Sequence, residues 1–206
     1  MPSQTILLSR DVLGPESAGL SLVPREFDRA EFAEGWRYEL IHGVLVVSPT
    51  PLETERDPND ELGFMLRLYQ AEHPEGKALD KTLPEHTIYL KKNRRRADRA
   101  IWAGLGRLPA KKELPSAAVE FVSEGKRSWQ RDYMEKRDEY LRAGIKEYWL
   151  IDRFRRQMTV FSRHGKRIKK QVIREGQTYT TPLLPGFELP IKRLLQLADA
   201  WEERGR

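Results

Sequence analysis

Apolar positions follow two rhythms along this chain, and the alternation between them predicts its elements. Residues 37–41 and 44–47 are apolar-rich runs on either side of His42-Gly43, a pairing that predicts a β-hairpin with Gly43 supplying the positive φ of a tight turn. Ser48-Pro49-Thr50-Pro51 closes it, since proline cannot continue a ladder. Leu62, Met65, Leu66 and Tyr69 recur at helical spacing and predict a helix over 58–72, with Asn59 or Asp60 as its cap. Strand-like runs follow at 86–90 and 97–103, joined by a basic turn. Residues 117–122, Ala-Ala-Val-Glu-Phe-Val, read as a buried central strand.

The second half repeats the alternation. Residues 129–143 predict a helix with Tyr133, Arg137, Tyr140 and Leu141 along one side and Gly144 at the position after its end. Residues 147–152 predict another buried strand, and 158–162 with 168–174 a further pair around Gly165. Pro185 to Pro190 reads as a turn, and 191–201 as an amphipathic helix. Residues 1–22 show no sustained period and read as a loose arm, leaving 23–206 as one domain. The order predicts an α/β (α+β) arrangement around one mixed sheet.

Composition narrows the class. With 39% hydrophobic and 33% charged residues, the 206-residue chain reads as globular, and its longest apolar runs are far too short to span a bilayer. No basic-then-apolar leader opens it. The absence of cysteine removes thiolate catalysis, disulfides and cysteine zinc sites, and agrees with a cytoplasmic address. A net charge of +6 is too modest to establish a polyanionic partner. Its distribution says more, with clusters at 91–96, at 153–156 and at 163–170. The plain reading of such clusters is charge carried at hairpin tips and edge strands to prevent edge pairing.

Three residues break the apolar pattern. Asp98 falls on the same strand face as Ala100 and Trp102, and Glu120 is the single polar side chain of residues 117–122. An acid on an apolar face needs a partner, because burying a lone carboxylate is costly. An ion pair to Arg94, Arg95, Arg96 or Arg99 would serve Asp98. Two such acids on separate strands also form a natural site for a hard divalent cation. Lys136 lies beside the apolar stripe of the helix predicted over 129–143, where it reads either as a flank lysine paired with Asp132 or as a chemical group. Histidines are few and unpaired, and the P-loop, dinucleotide-binding and nucleophile-elbow motifs are missing.

Residues 37–49, Arg96-Ala97-Asp98-Arg99-Ala100-Ile101-Trp102, Ala118-Val119-Glu120-Phe121-Val122-Ser123, and Asp132 to Asp152 together resemble a bacterial family of restriction-endonuclease-like proteins. That family lies within the PD-(D/E)XK nuclease superfamily. Pro185-Gly186-Phe187-Glu188-Leu189 is similar to its closing turn. The resemblance implies a PD-(D/E)XK core, a mixed sheet flanked by helices. It implies Asp98 and Glu120 as ligands of Mg²⁺ or Mn²⁺, Glu61 as a third acid, and Lys136 as the catalytic cation. The lysine of the usual triplet is missing, since Val122 holds its place, and Lys136 matches a lysine supplied from the following helix. Ala97 replaces the proline of the PD pair.

By this resemblance the function is divalent-metal-dependent endonucleolytic hydrolysis of DNA, with Lys92, Arg94, Arg95 and Arg96 holding backbone phosphates. A homodimer is compatible with that activity. The alternative is a catalytically degenerate nuclease fold that binds nucleic acid or a protein without cutting. A third reading is self-association through Trp149, Phe154, Phe161 and the C-terminal helix with Trp201.

Overall fold

The structure is a computed structural model that describes residues 12–124, 131–165 and 167–204, without the side chains of residues 131, 132 and 204. The first eleven residues of the expected arm, the start of the helix expected over 129–143 and the Asp132 carboxylate therefore lie outside the described residues. The chain divides into two compact units, Met1–Thr50 with Leu90–Arg96, and Pro51–Tyr89 with Ala97–Arg206.

The smaller unit is built on the hairpin of β1 (Trp36–Ile41) and β2 (Val44–Pro49), paired from Trp36↔Pro49 to Ile41↔Val44. Both turn residues take positive φ, His42 at 51° and Gly43 at 81°, which matches the twist of the strands. A short helix α1 (Pro24–Phe27) precedes it, and Leu13, Leu22, Phe27, Tyr38, Leu40 and Leu45 share one small core. Residues 13–22 are thus packed where a loose arm was expected. Leu13 bridges Phe32 and Ser21 bridges Val44, because two leucines in an aperiodic stretch suffice to cover the hairpin.

In the larger unit, helix α2 (Glu53–Glu72) begins five residues before the expected start. Residues 53–57 carry no apolar period, and Pro58, which suggested an N-terminus, lies inside the second turn. Strand β3 (Leu79–Tyr89) runs through Pro84 and pairs with β4 (Arg94–Ala103). Next come β5 (Ala117–Phe121), α3 (Arg137–Ala143) entered through a π-helical turn Arg131–Lys136, β6 (Glu147–Asp152), β7 (Gln157–His164) and β8 (Arg167–Arg174). Gly144 ends α3 at φ 113°, the left-handed position its sequence predicted. A hairpin of β9 (Thr178–Thr181) and β10 (Leu184–Pro190) leads into α4 (Ile191–Arg204), so the expected turn at 185–190 is a strand kinked at Gly186.

The sheet order is β4-β5-β6-β7-β8, with β5 and β6 parallel and the other neighbours antiparallel. Alternation sorts the side chains onto two faces. Ile101, Val119, Trp149, Ile151 and Val160 pack into the main core with Leu62 and Leu66 of α2 and Leu194 and Leu195 of α4. Glu147 sits in that core as a buried carboxylate, accepting from Trp149 Nε1 (2.8 Å), Tyr179 Oη (3.0 Å) and Thr181 Oγ1 (2.8 Å), which fastens the β9–β10 hairpin to β6. The opposite face carries the site. No described helix is long and apolar enough to cross a membrane.

Candidate active site

Asp98 and Glu120 stand on neighbouring strands. The β4–β5 register pairs Arg99 with Val119 and Ala100 with Ala118, and one further step sets Asp98 opposite Glu120 on the face away from the main core. Both are almost wholly buried, at 4% and 2% exposure. Asp98 Oδ2 accepts the Phe121 amide at 2.7 Å, so the acid of one strand grips the backbone of the next. Glu120 Oε1 accepts from Lys136 Nζ at 2.8 Å and from Tyr140 Oη at 3.3 Å. Lys136 itself is 2% exposed. Three residues singled out by sequence thus converge on one sheet face.

The helix side of this cluster is braced separately. Lys136 ends the π-helical turn, and Tyr133, in the same turn, donates to Asp152 Oδ2 at 2.9 Å. The Arg155 amide holds the other oxygen of Asp152 at 3.0 Å. Burial, reinforced by the adjacent Asp152 charge, pushes the Tyr133 phenol up to about 12, so it acts as a donor throughout the ordinary pH range. Tyr140 packs edge-on against Tyr148 with ring centroids 5.5 Å apart. A widened i→i+5 turn is a frequent companion of functional residues.

A second polar set lies on the α2 face of β4. Asn59 Nδ2 donates to the Asp98 carbonyl at 2.9 Å, and Asn59 takes the Arg99 guanidinium on its side-chain oxygen (2.8 Å) and its carbonyl (2.7 Å). Thr82 Oγ1 accepts a third bond at 3.2 Å. Arg99 therefore turns away from Asp98 instead of pairing with it, and burial among neutral acceptors lowers its pKa to about 10. Gly63 makes this geometry fit, since a Cβ there would meet Arg99 Nη2 at 2.5 Å.

A family model described as "Uma2: Putative restriction endonuclease" matches residues 24–192. The chain belongs to the Uma2 family. A solved structure, the crystal structure of a "putative nuclease belonging to DUF820" from Anabaena variabilis ATCC 29413, superposes with a TM-score of 0.66. The two share 14% identity, and the match covers 86% of this chain and 99% of that one. The chain accordingly has a restriction-endonuclease-like fold, a mostly antiparallel mixed sheet with few helices. No curated protein matches.

Other residues that the Uma2 resemblance or charge patterning suggested stand elsewhere. Glu61 pairs with Arg193 of α4 at 2.5 Å. Among the described residues no three His, Asp or Glu side chains converge, so Glu61 does not join Asp98 and Glu120. A buried acid that the sequence pattern did not mark is Glu55, in the first turn of α2, which lines a small cavity with Phe121, Val122 and Arg153. Its signal, an acid beside a helix start, was hidden because that start was placed at Pro58. Of the basic cluster at 91–96, Lys92 is exposed, but Arg94 is held by Asp28 at 2.6 and 3.0 Å and Arg95 is fully buried. Arg94 and Arg95 thus cannot meet a ligand at the surface, and Arg96 is half-buried. Trp149 and Phe161 are core residues, and Trp201 donates to Asp57 at 2.8 Å, so the aromatic set suggested for self-association does not form one surface.

Proposed function

We propose that this Uma2 protein is a divalent-metal-dependent endonuclease that hydrolyses DNA phosphodiester bonds at the Asp98–Glu120–Lys136 cluster. The observation that carries the reading is the 2.8 Å contact of Lys136 with Glu120, on the sheet face that also bears Asp98. Two adjacent carboxylates are hard oxygen donors, and they suit Mg²⁺ or Mn²⁺, ions held through one or two carboxylates with water and substrate phosphate completing the shell. Such an ion supplies polarisation of the phosphoryl oxygen and a lowered pKa for attacking water. Lys136 would hold its positive charge close to the scissile phosphate and offset the negative charge that develops there. Glu120 fixes the ammonium, Tyr140 fixes Glu120, and Tyr133 with Asp152 fixes the turn from which Lys136 projects. A cytoplasmic site of action, and a homodimer able to cut both strands, belong to the same reading.

One observation favours a second reading, a degenerate nuclease fold that binds without cutting. Both carboxylates are already bonded within the chain, and no third acid joins them among the described residues. Glu120→Gln separates the two. Wild type and variant would be incubated with supercoiled and linear DNA, single-stranded DNA and RNA, in Mg²⁺ and in Mn²⁺. Under the first reading the wild type cuts DNA, the variant does not, and the variant still binds DNA. Cleavage that survives in Glu120→Gln would overturn the assignment of the reaction to this cluster, and a folded wild type that cuts none of these in either metal would leave the binding module as the function.

A further inference from the structure

We propose that the β7–β8 hairpin is the tract that grips the phosphate backbone of the nucleic acid, in place of the 91–96 cluster. That the partner is nucleic acid rests on the function proposed above; that the tract is this hairpin rests on how the chain uses its cations.

Several basic groups of the larger unit are already engaged. Arg156 bonds Glu175 and Asp199, each at 2.6 Å. Arg153 pairs with Glu202, Arg107 with Glu113, and Arg193 with Glu61. The hairpin differs. Residues 163–174 contain Arg163, Lys166, Arg167, Lys169, Lys170 and Arg174 and no acid, and no Asp or Glu occurs anywhere between Asp152 and Glu175. Arg167, Lys169, Lys170 and Arg174 are all exposed, and none forms an ion pair among the described residues. Arg163 is also exposed, its guanidinium resting on the carbonyls of Gly165 and Leu141.

Edge protection alone does not account for this. β8 is the last strand of its sheet, and a lysine or two of either register would deter edge pairing. Mixed charge would serve equally well. A run of one sign instead repels a second copy of the same edge and attracts a polyanion. Arg167 and Lys169 lie two residues apart, roughly 7 Å along a strand, about the axial rise of two nucleotides. On the site-bearing face, Lys170 lies opposite Phe161 in the register and 6.0 Å from its ring, and Arg137 covers the same ring at 5.3 Å. Phe161 in turn stacks on Tyr148, which packs on Tyr140, the residue bonded to Glu120. Lys170 is therefore joined to the candidate active site by one layer of aromatic packing, while Arg167 and Lys169 project from the opposite face of β8.

The test is fluorescence anisotropy of a labelled 20-base-pair duplex at several salt concentrations in EDTA, which separates binding from any metal-dependent cleavage. Wild type would be compared with Arg167→Gln/Lys169→Gln/Lys170→Gln/Arg174→Gln and with Lys91→Gln/Lys92→Gln. Far-ultraviolet circular dichroism and urea midpoints would establish that each is folded, with Lys169→Gln/Lys170→Gln as a milder hairpin variant. The hairpin variant is expected to bind about tenfold or more weakly at 0.1 M salt, its log K against log[salt] slope flattening by about 0.9 for each phosphate that is no longer neutralised. The Lys91/Lys92 variant should follow wild type. An unchanged slope in both hairpin variants overturns the proposal, as does a folded wild type that binds no duplex. Flotation with vesicles of 3:1 phosphatidylcholine and phosphatidylglycerol covers the other polyanionic surface. Hairpin-dependent binding to vesicles without hairpin-dependent binding to duplex also overturns it. A nuclease inactive in every metal would leave this result standing, so the two failures are distinguishable.

Discussion

Lys136→Met isolates the Lys136–Glu120 contact. Unit charges 2.8 Å apart attract by about 6 kcal/mol at an effective dielectric of about 20. In the intact protein this is offset by several kcal/mol of desolvation for each ion, so the net worth of the pair is small. The variant removes the attraction and leaves Glu120 in place, still buried and still bonded to Tyr140. The expected cost is about 3–5 kcal/mol, the usual consequence of leaving one partner of a buried pair behind. That is a large share of the roughly 5–15 kcal/mol typical of a whole domain. Urea unfolding would show it as a lowered midpoint at unchanged slope. Lys136→Met/Glu120→Gln removes both charges and keeps an acceptor for Tyr140, so it should recover most of the loss. A single variant costing under about 1 kcal/mol, or a double variant no better than the sum of the singles, would refute a tightly coupled buried pair.

Two further perturbations probe the supports. Gly63→Ala should gain about 1 kcal/mol of helix propensity, yet its Cβ would meet the Arg99 guanidinium at 2.5 Å; displacing three hydrogen bonds to a buried cation should outweigh the gain and leave a net loss of about 1–2 kcal/mol. A net stabilisation in urea unfolding would show that Arg99 moves aside freely. For Tyr133, the folded phenol titrates at about 12 against an ordinary value of 10, so the folded state holds this proton more tightly. Its contribution is complete below about pH 10 and is lost as pH rises toward about 12. The stability difference between wild type and Tyr133→Phe should therefore narrow across that window, followed by denaturation at fixed pH steps, and a flat difference would contradict the assignment.

Much of the fold was legible because apolar alternation is strong where strands are buried on both faces. The bounds of β6 were read without error, and those of β5 to one residue, since both are unbroken apolar runs flanked by loops. The misses lie where the backbone is fixed by something other than pattern. The first turn of α2 has no apolar stripe, and β3 continues past Pro84 with Glu85 at φ 48°, an irregularity that no alternation rule anticipates. β9 is short and mostly polar, and it is held by Glu147, a carboxylate whose importance depends on partners 32 and 34 residues away.

The site divides along the same line. Asp98, Glu120 and Lys136 were visible because each breaks an apolar context, and a polar group on a buried face must be answered by a partner somewhere in the fold. For Glu120 that argument led both to an ion pair and to a chemical site, and the structure makes them one contact, since Lys136 is at once the countercharge and the candidate catalytic cation. Basic residues on the surface carry no such constraint. A run of arginines looks the same in sequence whether it meets water, a carboxylate or a phosphate. Arg94, Arg95 and Arg96 resembled a nucleic-acid footprint, but Arg94 is committed to Asp28 and Arg95 to the interior. The 163–174 run had no better claim from sequence. What the structure adds is that, among the described residues, Arg167, Lys169, Lys170 and Arg174 are exposed and form no ion pair, so pairing rather than charge density is the test of which cations remain available to a ligand.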